Sequence, residues 1–356
     1  MSALFESLRL GELKLRNRIV MAPLTRCRAV DARIPNALMR DYYVQRASAG
    51  LILSEATSVT PMGVGYPNTP GIWSESQVAG WRMITEAVHA AGGLIVLQLW
   101  HVGRVSHPVY LDGALPVGPS AIAPTGHVSL VRPKVEYVRP RALRLDEISG
   151  VIEAYRKGAE NAERAGFDGV EVHGANGYLL DQFLQDGSNR RDDDYGGPVE
   201  HRARLMLEVA DACVAVWGAG RVGMHLAPRG DSHSMGDSDL TATFTFVARE
   251  LGKRRLAFLC TREREGADSI SPLLKRAFGG ALIANEDFTQ ASAEAAIARG
   301  DADGVAFGKL FIANPDLPAR FRAGAALNVW DIKTFYAPGA DGYVDYPALE
   351  RTSLTA

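Results

Sequence analysis

The stretch Leu94-Ile-Val-Leu-Gln-Leu-Trp-His101 is an almost continuous apolar run that a single amide side chain, Gln98, interrupts. Half-exposed strands alternate apolar with polar residues, whereas parallel strands that are covered on both faces are apolar at nearly every position. The run therefore predicts a buried strand of a parallel sheet. Further runs of the same kind predict strands over residues 18–24, 50–57, 169–175, 221–228, 255–262, 281–287 and 304–311.

Helical patterns separate these predicted strands, because apolar residues there recur at the spacing of a helix with one buried face. The helices are predicted over residues 38–49, 76–91, 146–165, 199–217, 241–251, 289–299 and 316–323, with a short one near 272–278. Eight strand-then-helix units in one uninterrupted series predict an α/β fold, a (β/α)8 TIM barrel, in preference to an open doubly wound sheet.

The chain of 356 residues has no shift in composition and no low-complexity linker, so we predict a single domain over residues 1–356. Residues 102–144 are too many for an ordinary loop and are rich in Pro and Gly, which predicts a lid-like insertion after the third strand. A second irregular stretch, 184–198, follows the fourth strand. Both would lie at the carboxyl ends of the strands, where such barrels build their active sites.

Composition narrows the classes of partner. The chain has 39 Lys and Arg against 41 Asp and Glu, a formal net charge of −2, which argues against nucleic acid or an anionic membrane as a partner.

Cys27, Cys213 and Cys260 are widely spaced, so neither a disulfide framework nor a thiolate zinc site is expected. The amino terminus lacks an apolar signal sequence and the longest apolar run is too short to span a bilayer, so we expect a cytoplasmic protein without membrane association.

Polar residues follow several predicted strands, and the strongest group is His173-Gly-Ala-Asn176-Gly-Tyr178. A strand-end histidine alone is at least as often structural as catalytic. Together, however, two of these side chains could polarise a carbonyl oxygen while a phenol, protonated at neutral pH, gives a proton to carbon. Gln98 is explained equally well by a core hydrogen bond and by a functional contact. No metal is expected, because no known ligand spacing relates His101, His107 and His173.

No glycine-rich dinucleotide motif follows a strand, and the segment around Gly308 is not a P-loop. A phosphate could instead be held by the loops after strands seven and eight, the usual phosphate site of such barrels. The candidates there are Asn285, Glu286, Asp287, Gly308 and Lys309. The two carboxylates would have to face away from the phosphate and offer only backbone N–H groups, whereas the lysine would attract it.

A set of motifs makes the chain similar to a known family. They are Asn17-Arg18, Met21-Ala-Pro-Leu-Thr-Arg26, Tyr42-Tyr43, Gln45-Arg-Ala-Ser-Ala-Gly50, Ser54-Glu-Ala-Thr57, Gln98-Leu-Trp-His101, His173 to Tyr178, Asn189-x-Arg191-x-Asp193-x-Tyr195-Gly-Gly197, Ala306-Phe-Gly308, Asn314-Pro-Asp-Leu317 and Gly342-Tyr-x-Asp-Tyr-Pro347. Through them the chain resembles the Old Yellow Enzymes, FMN-dependent ene-reductases on a (β/α)8 barrel that include N-ethylmaleimide, 2-cyclohexenone and pentaerythritol tetranitrate reductases.

The resemblance implies contacts to FMN. Pro23, Leu24 and Ala56 would contact the isoalloxazine through their backbones. Thr25 would bond the flavin O4, and Gln98 would bond the pyrimidine edge, which would explain an amide inside an apolar strand.

The resemblance also implies the substrate site. His173 and Asn176 would hold the activating carbonyl or nitro oxygen of the substrate. Tyr178 would protonate the α-carbon after hydride passes from flavin N5 to the β-carbon. The aromatic residues that would shape the pocket are Tyr66, Trp100 and Tyr336.

The implied activity is reduction of the C=C bond of activated alkenes (α,β-unsaturated ketones, aldehydes and imides, and nitroalkenes) by NAD(P)H through bound FMN. Without a Rossmann domain, one site must admit nicotinamide and alkene in turn, so ping-pong kinetics are expected. Reduction of nitrate esters or nitroaromatics is a variant of this chemistry. The alternatives are a flavin-free barrel carbonyl reductase and a ligand-binding barrel without turnover. A monomer or homodimer is expected.

Two residues depart from the family pattern. On strand five, near flavin N1 and O2, most relatives carry an arginine, and this chain has His225. Since the charge of a histidine changes with pH whereas that of an arginine does not, we predict a flavin reduction potential that varies with pH and rises in His225→Arg. At the flavin phosphate, this chain has Lys309 where an arginine is usual in the family. A lysine is a point charge, whereas an arginine can donate two parallel hydrogen bonds to a phosphate, so FMN is expected to bind less tightly. Arg229 is expected to bind a loop or solvent.

Overall fold

The computed structural model describes residues 2–230 and 232–349. In chain order its strands are β1 (Leu8–Leu10), β2 (Leu13–Leu15), β3 (Ile19–Met21), β4 (Leu51–Leu53), β5 (Thr57–Ser58), β6 (Ile95–Trp100), β7 (Val117–Gly118), β8 (Arg141–Ala142), β9 (Val170–His173), β10 (Val222–Leu226), β11 (Phe258–Arg262), β12 (Leu282–Asn285) and β13 (Gly304–Phe307). Its α-helices are α1 (Ala37–Gln45), α2 (Glu75–Ala90), α3 (Leu145–Arg164), α4 (Leu179–Leu184), α5 (Val199–Arg202), α6 (Arg204–Trp217), α7 (Leu240–Lys253), α8 (Ser271–Phe278), α9 (Gln290–Ala298), α10 (Lys309–Ala313) and α11 (Leu317–Ala323).

Parallel strands close into a barrel. Around the ring the order is β3, β4, β6, β9, β10, β11, β12 and β13, and the ring is completed where β13 pairs with β3 and β4 pairs with β6. The short strand β5 runs beside the end of β6. Each strand of the ring is followed by at least one helix. The predicted (β/α)8 barrel is therefore confirmed.

The ring strands are apolar throughout because both of their faces are buried. Along β4, Leu51 and Leu53 join the cluster inside the barrel, whereas Ile52 joins the layer between the strands and the helices. A hairpin of β1 and β2 adds its leucines to the inner cluster and so closes the amino end of the barrel. Its turn needs Gly11, because a Cβ there would lie 2.4 Å from the carbonyl oxygen of Gly220. The hairpin was not predicted, since three-residue strands are too short for a periodic pattern.

The helices begin where polar side chains cap them. Asn36, Ser74 and Asp239 each accept a hydrogen bond from a backbone N–H in the first turn of α1, α2 and α7, which satisfies one of the donors that a helix start leaves free. Within residues 2–230 and 232–349, each helix is too short or too polar to cross a membrane.

Three predicted elements need correction. The strand predicted over 50–57 is divided into β4 and β5. The strand predicted over 304–311 ends at Phe307, because the Gly308 carbonyl accepts hydrogen bonds from the N–H groups of Phe311 and Ile312 and thereby begins α10. The helix predicted over 199–217 is interrupted at Ala203, which separates α5 from α6.

The predicted insertion, residues 102–144, follows β6 and contains little regular structure beyond the β7–β8 pair. Arg104 donates to the carbonyl oxygens of Ile122 and His233, at 3.1 Å and 3.0 Å. From the second irregular stretch, Arg191 donates to the carbonyls of Pro119 and Leu143. Buried arginines thus hold the insertion to the body of the barrel.

A buried arginine also joins the first helix to the last barrel unit. Arg46, at the end of α1, donates to the carbonyl oxygens of Phe311 and Ile312, at 2.8 Å each. It also donates to the Tyr42 carbonyl, and its guanidinium carbon lies 3.7 Å from the centroid of the Tyr42 ring. Burial lowers the pKa of Arg46 to about 10, so the side chain stays charged at neutral pH and its donors remain strong.

We expect Arg46→Ala to lower the free energy of unfolding by at least about 3 kcal/mol, because several buried carbonyls lose their partner at once. Urea denaturation followed by circular dichroism measures this. The matched control is Arg40→Ala on the same helix, whose side chain is exposed and contacts Asp41. It should change the free energy of unfolding by no more than about 0.5 kcal/mol. Equal losses in the two variants would contradict the assignment.

Candidate active site

A cavity of about 720 Å³ opens at the carboxyl ends of the barrel strands. The predicted site residues that line it are Pro23, Leu24, Thr25, Tyr66, Gln98, His173, Asn176, Tyr178, His225, Asn285, Glu286, Asp287, Gly308, Lys309 and Tyr336. They come from opposite sides of the ring and are distant in sequence. The closed barrel therefore brings nearly the whole predicted set to one site.

Two predicted residues, Ala56 and Trp100, lie behind the cavity wall instead of on it. Both are buried in a small apolar cluster against which Tyr66 and Tyr178 pack. The Trp100 ring stacks on Tyr66 with a centroid distance of 5.4 Å and meets Tyr178 edge-on at 5.0 Å. The flavin contact predicted for Ala56 and the substrate contact predicted for Trp100 therefore stay predictions. Trp100 instead supports the aromatic residues that face it.

His173, the last residue of β9, presents a defined tautomer. The backbone N–H of Ala175 donates to His173 Nδ1 at 3.3 Å, so this nitrogen carries a lone pair. Burial, and then the charges of His225 and Arg262, hold the His173 pKa well below its usual range. The ring is therefore neutral at pH 7 with its proton on Nε2, which makes Nε2 a hydrogen-bond donor.

Asn176 is oriented by two neighbours. Its φ of 59° lies in the left-handed region that asparagine tolerates better than most residues. Its backbone carbonyl oxygen lies 2.8 Å from His233 Nδ1. Arg262 Nη1 donates to Asn176 Oδ1 at 2.9 Å, and Glu286 pairs with the same guanidinium. Because a guanidinium has only donors, the amide oxygen must face it, and the NH2 group of Asn176 is left free to donate.

Tyr178 and Tyr66 share a hydrogen bond, with their hydroxyl oxygens 2.9 Å apart. Burial raises the pKa of both phenols. Both therefore stay protonated at neutral pH. Since one hydroxyl proton suffices for the shared bond, the pair retains a second proton that it can donate elsewhere.

The carboxyl-terminal segment closes one side of the cavity mouth. Arg26 and Arg28, which follow β3, both donate to the carbonyl oxygen of Phe335, at 3.0 Å and 2.8 Å. These bonds hold Phe335 and Tyr336 at the rim, together with Trp330. Tyr336 is about half exposed.

The loops at the far end of the cavity carry both charge signs. Glu286 and Asp287 have φ values of 103° and 56°, and arginines draw both carboxylates aside: Glu286 pairs with Arg262, and Asp287 pairs with Arg264 at 2.9 Å. Lys309 Nζ lies 3.6 Å from Asp287 and is about half exposed. Asp287 thus contacts both Arg264 and Lys309, and the expectation that both carboxylates face away from a bound phosphate stays a prediction.

Comparison with known proteins decides the family. The family described as "NADH:flavin oxidoreductase / NADH oxidase" matches residues 3–328. The chain belongs to this family. It is 43% identical to 12-oxophytodienoate reductase 1 of Oryza sativa subsp. japonica over 96% of this chain and 92% of that one. It is 42% identical to a probable flavin mononucleotide-dependent alkene reductase of Leishmania infantum, over 97% of each.

Solved structures agree with these relatives. The Old Yellow Enzyme homologue from Zymomonas mobilis superposes with a TM-score of 0.95 at 44% identity, over 98% of this chain and 100% of that one. Morphinone reductase in complex with tetrahydroNAD gives a TM-score of 0.95 at 48% identity, over 99% of both chains. The resemblance to the Old Yellow Enzymes, and with it a flavin-dependent oxidoreductase, is confirmed.

The cavity of this NADH:flavin oxidoreductase fits FMN. Its volume falls in the range of cofactor sites, Pro23 and Leu24 supply an apolar wall, and Lys309 supplies positive charge at the far end. His225 is one of the lining residues, and its buried Nε2 has no hydrogen-bond partner among the described residues. Such an orphaned polar atom is costly unless a ligand satisfies it, and the polar edge of a flavin would do so.

Two residues that contact predicted site residues were not themselves predicted from the sequence. Arg262 ends β11 and contacts Asn176, and Glu171 lies inside β9, two residues before His173. Both could have been found, since a charged residue at the end of a barrel strand or inside an apolar one needs an explanation. Arg229, by contrast, pairs with Glu263 as a loop contact, as expected.

Proposed function

We propose that this flavin oxidoreductase is an FMN-dependent NAD(P)H ene-reductase that reduces alkenes activated by a ketone, aldehyde, imide or nitro group. One observation carries the proposal: the His173 and Asn176 N–H donors, each oriented by a fixed partner, line the same cavity as the protonated phenol of Tyr178. The names of the rice, Leishmania and morphinone reductase relatives support this class of substrate.

Bound FMN would supply the redox chemistry, accepting hydride from NAD(P)H and delivering it to the β-carbon of the alkene. His173 Nε2–H and Asn176 Nδ2–H would hold the activating oxygen and stabilise the negative charge that develops on it. Tyr178 would then give its hydroxyl proton to the α-carbon. Because these donors are preoriented in a buried wall, they need little rearrangement when the charge develops.

The remaining roles are proposed from position in the cavity. Thr25 and Gln98 would bond the flavin ring, Pro23 and Leu24 would pack on it, and Ala56 would support it from behind. Tyr66 and Tyr336 would shape the substrate pocket, with Trp100 as their support. The residues proposed to surround the phosphate are Asn285, Glu286, Asp287, Gly308 and Lys309.

We propose that the whole chain forms one FMN-binding domain and that residues 102–144 act as a lid on it. Tyr137 of this insertion supports the lid role, since it packs on the cluster that contains Trp100 and meets His233 edge-on at 6.4 Å. All the residues with an assigned role belong to one chain, so a monomer would carry a complete site and a homodimer would carry two.

The proposal as a whole predicts that the purified protein is yellow and oxidises NAD(P)H faster when 2-cyclohexenone or N-ethylmaleimide is added. When initial rates are measured against NAD(P)H concentration at several fixed alkene concentrations, the double-reciprocal plots should be parallel lines, as ping-pong kinetics require. A colourless protein that cannot be reconstituted with FMN would refute the proposal and favour the flavin-free alternative. A yellow protein whose flavin is not bleached by NADPH under anaerobic conditions would favour a binding protein without turnover.

We expect Tyr178→Phe to slow alkene reduction at least about tenfold, because general acid catalysis is lost, while reduction of the flavin by NADPH stays nearly unchanged. Anaerobic stopped-flow measurement separates the two half-reactions. The control is Tyr110→Phe, which removes a hydroxyl that bonds the Ser129 carbonyl in the insertion and should leave both rates as they are. Equal losses in both half-reactions of Tyr178→Phe would contradict the proton-donor role.

Arg262→Ala should lower kcat/KM for the alkene about 10- to 100-fold, because Asn176 loses the charged donor that orients its amide. FMN occupancy should stay complete. The neighbour Arg264 provides the control, since its side chain is largely exposed and pairs with Asp287. Arg264→Ala should retain wild-type kcat/KM. A similar loss of kcat/KM in both variants would indicate a general effect of removing positive charge and would contradict the orientation of the Asn176 amide by Arg262.

Lys309→Ala should raise the dissociation constant of FMN about three- to tenfold, as expected for a partly exposed lysine that contacts a phosphate. Quenching of flavin fluorescence, titrated at low and high salt, measures it, and the difference between the proteins should shrink as salt rises. Lys253→Ala, at an exposed lysine of α7, should bind FMN like wild type. Full FMN occupancy of Lys309→Ala after prolonged dialysis would count against a phosphate contact.

A further inference from the structure

The peptide group that joins Asn176 to Gly177 is held from both sides. Its carbonyl oxygen lies 2.8 Å from His233 Nδ1, and its N–H donates to Asp181 Oδ2 at 2.8 Å. Because a carbonyl oxygen can only accept a hydrogen bond, His233 Nδ1 must carry a proton and donate it. The peptide lies between the amide of Asn176 and the phenol of Tyr178, so its orientation sets how these two groups lie relative to each other.

The imidazole that holds this peptide comes from the turn over residues Ser232–Ser234, which follows β10. Burial lowers the pKa of His233, although the bond to the Asn176 carbonyl acts in the opposite direction. The ring is therefore neutral at pH 7, with its one proton on Nδ1. The centroids of the His233 and Tyr178 rings lie 5.5 Å apart. The imidazole thus packs beside the phenol while it donates to Asn176.

The two turns that meet here both have left-handed backbone. The φ values are 59° at Asn176 and 76° at Gly177 in one turn, and 60° at His233 and 59° at Ser234 in the other. A Cβ at Gly177 would lie 2.8 Å from the carbonyl oxygen of Ser232, so the close approach of the turns requires glycine there. Left-handed backbone at other residues is costly and persists where surrounding contacts hold it. The hydrogen bond from His233 to Asn176 is such a contact.

The turn that carries His233 is itself fixed to the insertion. The buried Arg104 donates through Nη2 to the carbonyl oxygens of His233 and Ser234, at 3.0 Å and 3.3 Å. The backbone N–H of Thr125 donates to the Ser234 hydroxyl at 2.9 Å, and the hydroxyls of these two residues lie 2.6 Å apart. His233 therefore reaches Asn176 from a support that does not depend on the Asn176 turn.

We propose that His233 is a positioning residue: its Nδ1–H holds the Asn176 carbonyl so that the Asn176 amide and the Tyr178 hydroxyl meet one bound alkene together. Arg262 orients the side chain of Asn176, whereas His233 and Asp181 fix the backbone that carries it. Small displacements of a positioned group lower catalysis strongly, so the loss of one backbone contact should weaken binding of the activating oxygen. This inference rests on the proposed function, because it concerns the oxygen that Asn176 would bind.

The test compares three substitutions of His233 in the FMN-loaded protein, assayed with 2-cyclohexenone at pH 8. His233→Asn keeps a donor on the γ-carbon and tolerates left-handed backbone, so it should retain at least about half of the wild-type kcat/KM. His233→Gly tolerates the backbone but has no donor. His233→Asp has the shape of asparagine, but its carboxylate only accepts at this pH. Both should lower kcat/KM about three- to tenfold, as expected for one lost hydrogen bond.

A second measurement reports on the bound oxygen alone. Cyclohexanone has the carbonyl but no alkene to reduce, and its binding is followed by the change in flavin absorbance. Its dissociation constant should rise about three- to tenfold in His233→Gly and stay near the wild-type value in His233→Asn. In an Asn176→Ala background, His233→Gly should cause no further rise, because the contact then positions no amide. The control Ser232→Gly puts a glycine in the same turn but keeps the imidazole, and it should bind cyclohexanone like wild type.

The possible failures are distinguishable. Wild type that binds no FMN, or that does not reduce 2-cyclohexenone, would refute the proposed function itself. An active wild type with equal kcat/KM in His233→Gly would refute the role of His233 and leave the proposed function standing. Losses of equal size in all three His233 variants, or a further loss in the Asn176→Ala background, would also refute it, since the imidazole would then act on the fold as a whole. If His233→Gly does not fold, the comparison of His233→Asn with His233→Asp decides by itself.

Discussion

The pairing of β4 with β6 turns a row of parallel strands into a closed ring, and the geometry of the cavity follows from that closure. In a closed parallel barrel the carboxyl ends of all strands surround one space. Residues that are hundreds of positions apart, such as Thr25 and Lys309, therefore line the same cavity. The ring also has no free barrel edge, so the backbone groups of its strands are paired with neighbours and the wall is rigid enough to orient side chains.

Orientation at this site comes from groups that cannot reverse their hydrogen-bonding role. A backbone N–H assigns the lone pair of His173, and a guanidinium assigns the amide oxygen of Asn176. A backbone amide and an arginine can only donate, so the opposite face of each side chain is left to donate into the cavity. Burial strengthens these contacts, because the local dielectric is low.

The sequence predicted much of this arrangement and missed particular parts of it. The barrel, the group from His173 to Tyr178 and the loops around Lys309 follow from apolar periodicity, strand-end position and family resemblance. The last strand was predicted too long because an apolar run continues past Phe307 into α10, and short apolar runs do not distinguish strand from helix. Arg262 was missed, although a charged residue at the carboxyl end of a barrel strand is a candidate site residue.

What the sequence by itself determined is the set of chemical groups and the order of strands and helices, since both depend on local composition and periodicity. Only the tertiary structure decided which group faces which. Whether Gln98 contacts the cavity or the core was open in the sequence, and in the folded chain it does both, lining the cavity while it donates to Glu171. The physical reason is that a hydrogen bond depends on distances of a few tenths of an ångström between strands far apart in sequence, and only barrel closure sets those distances.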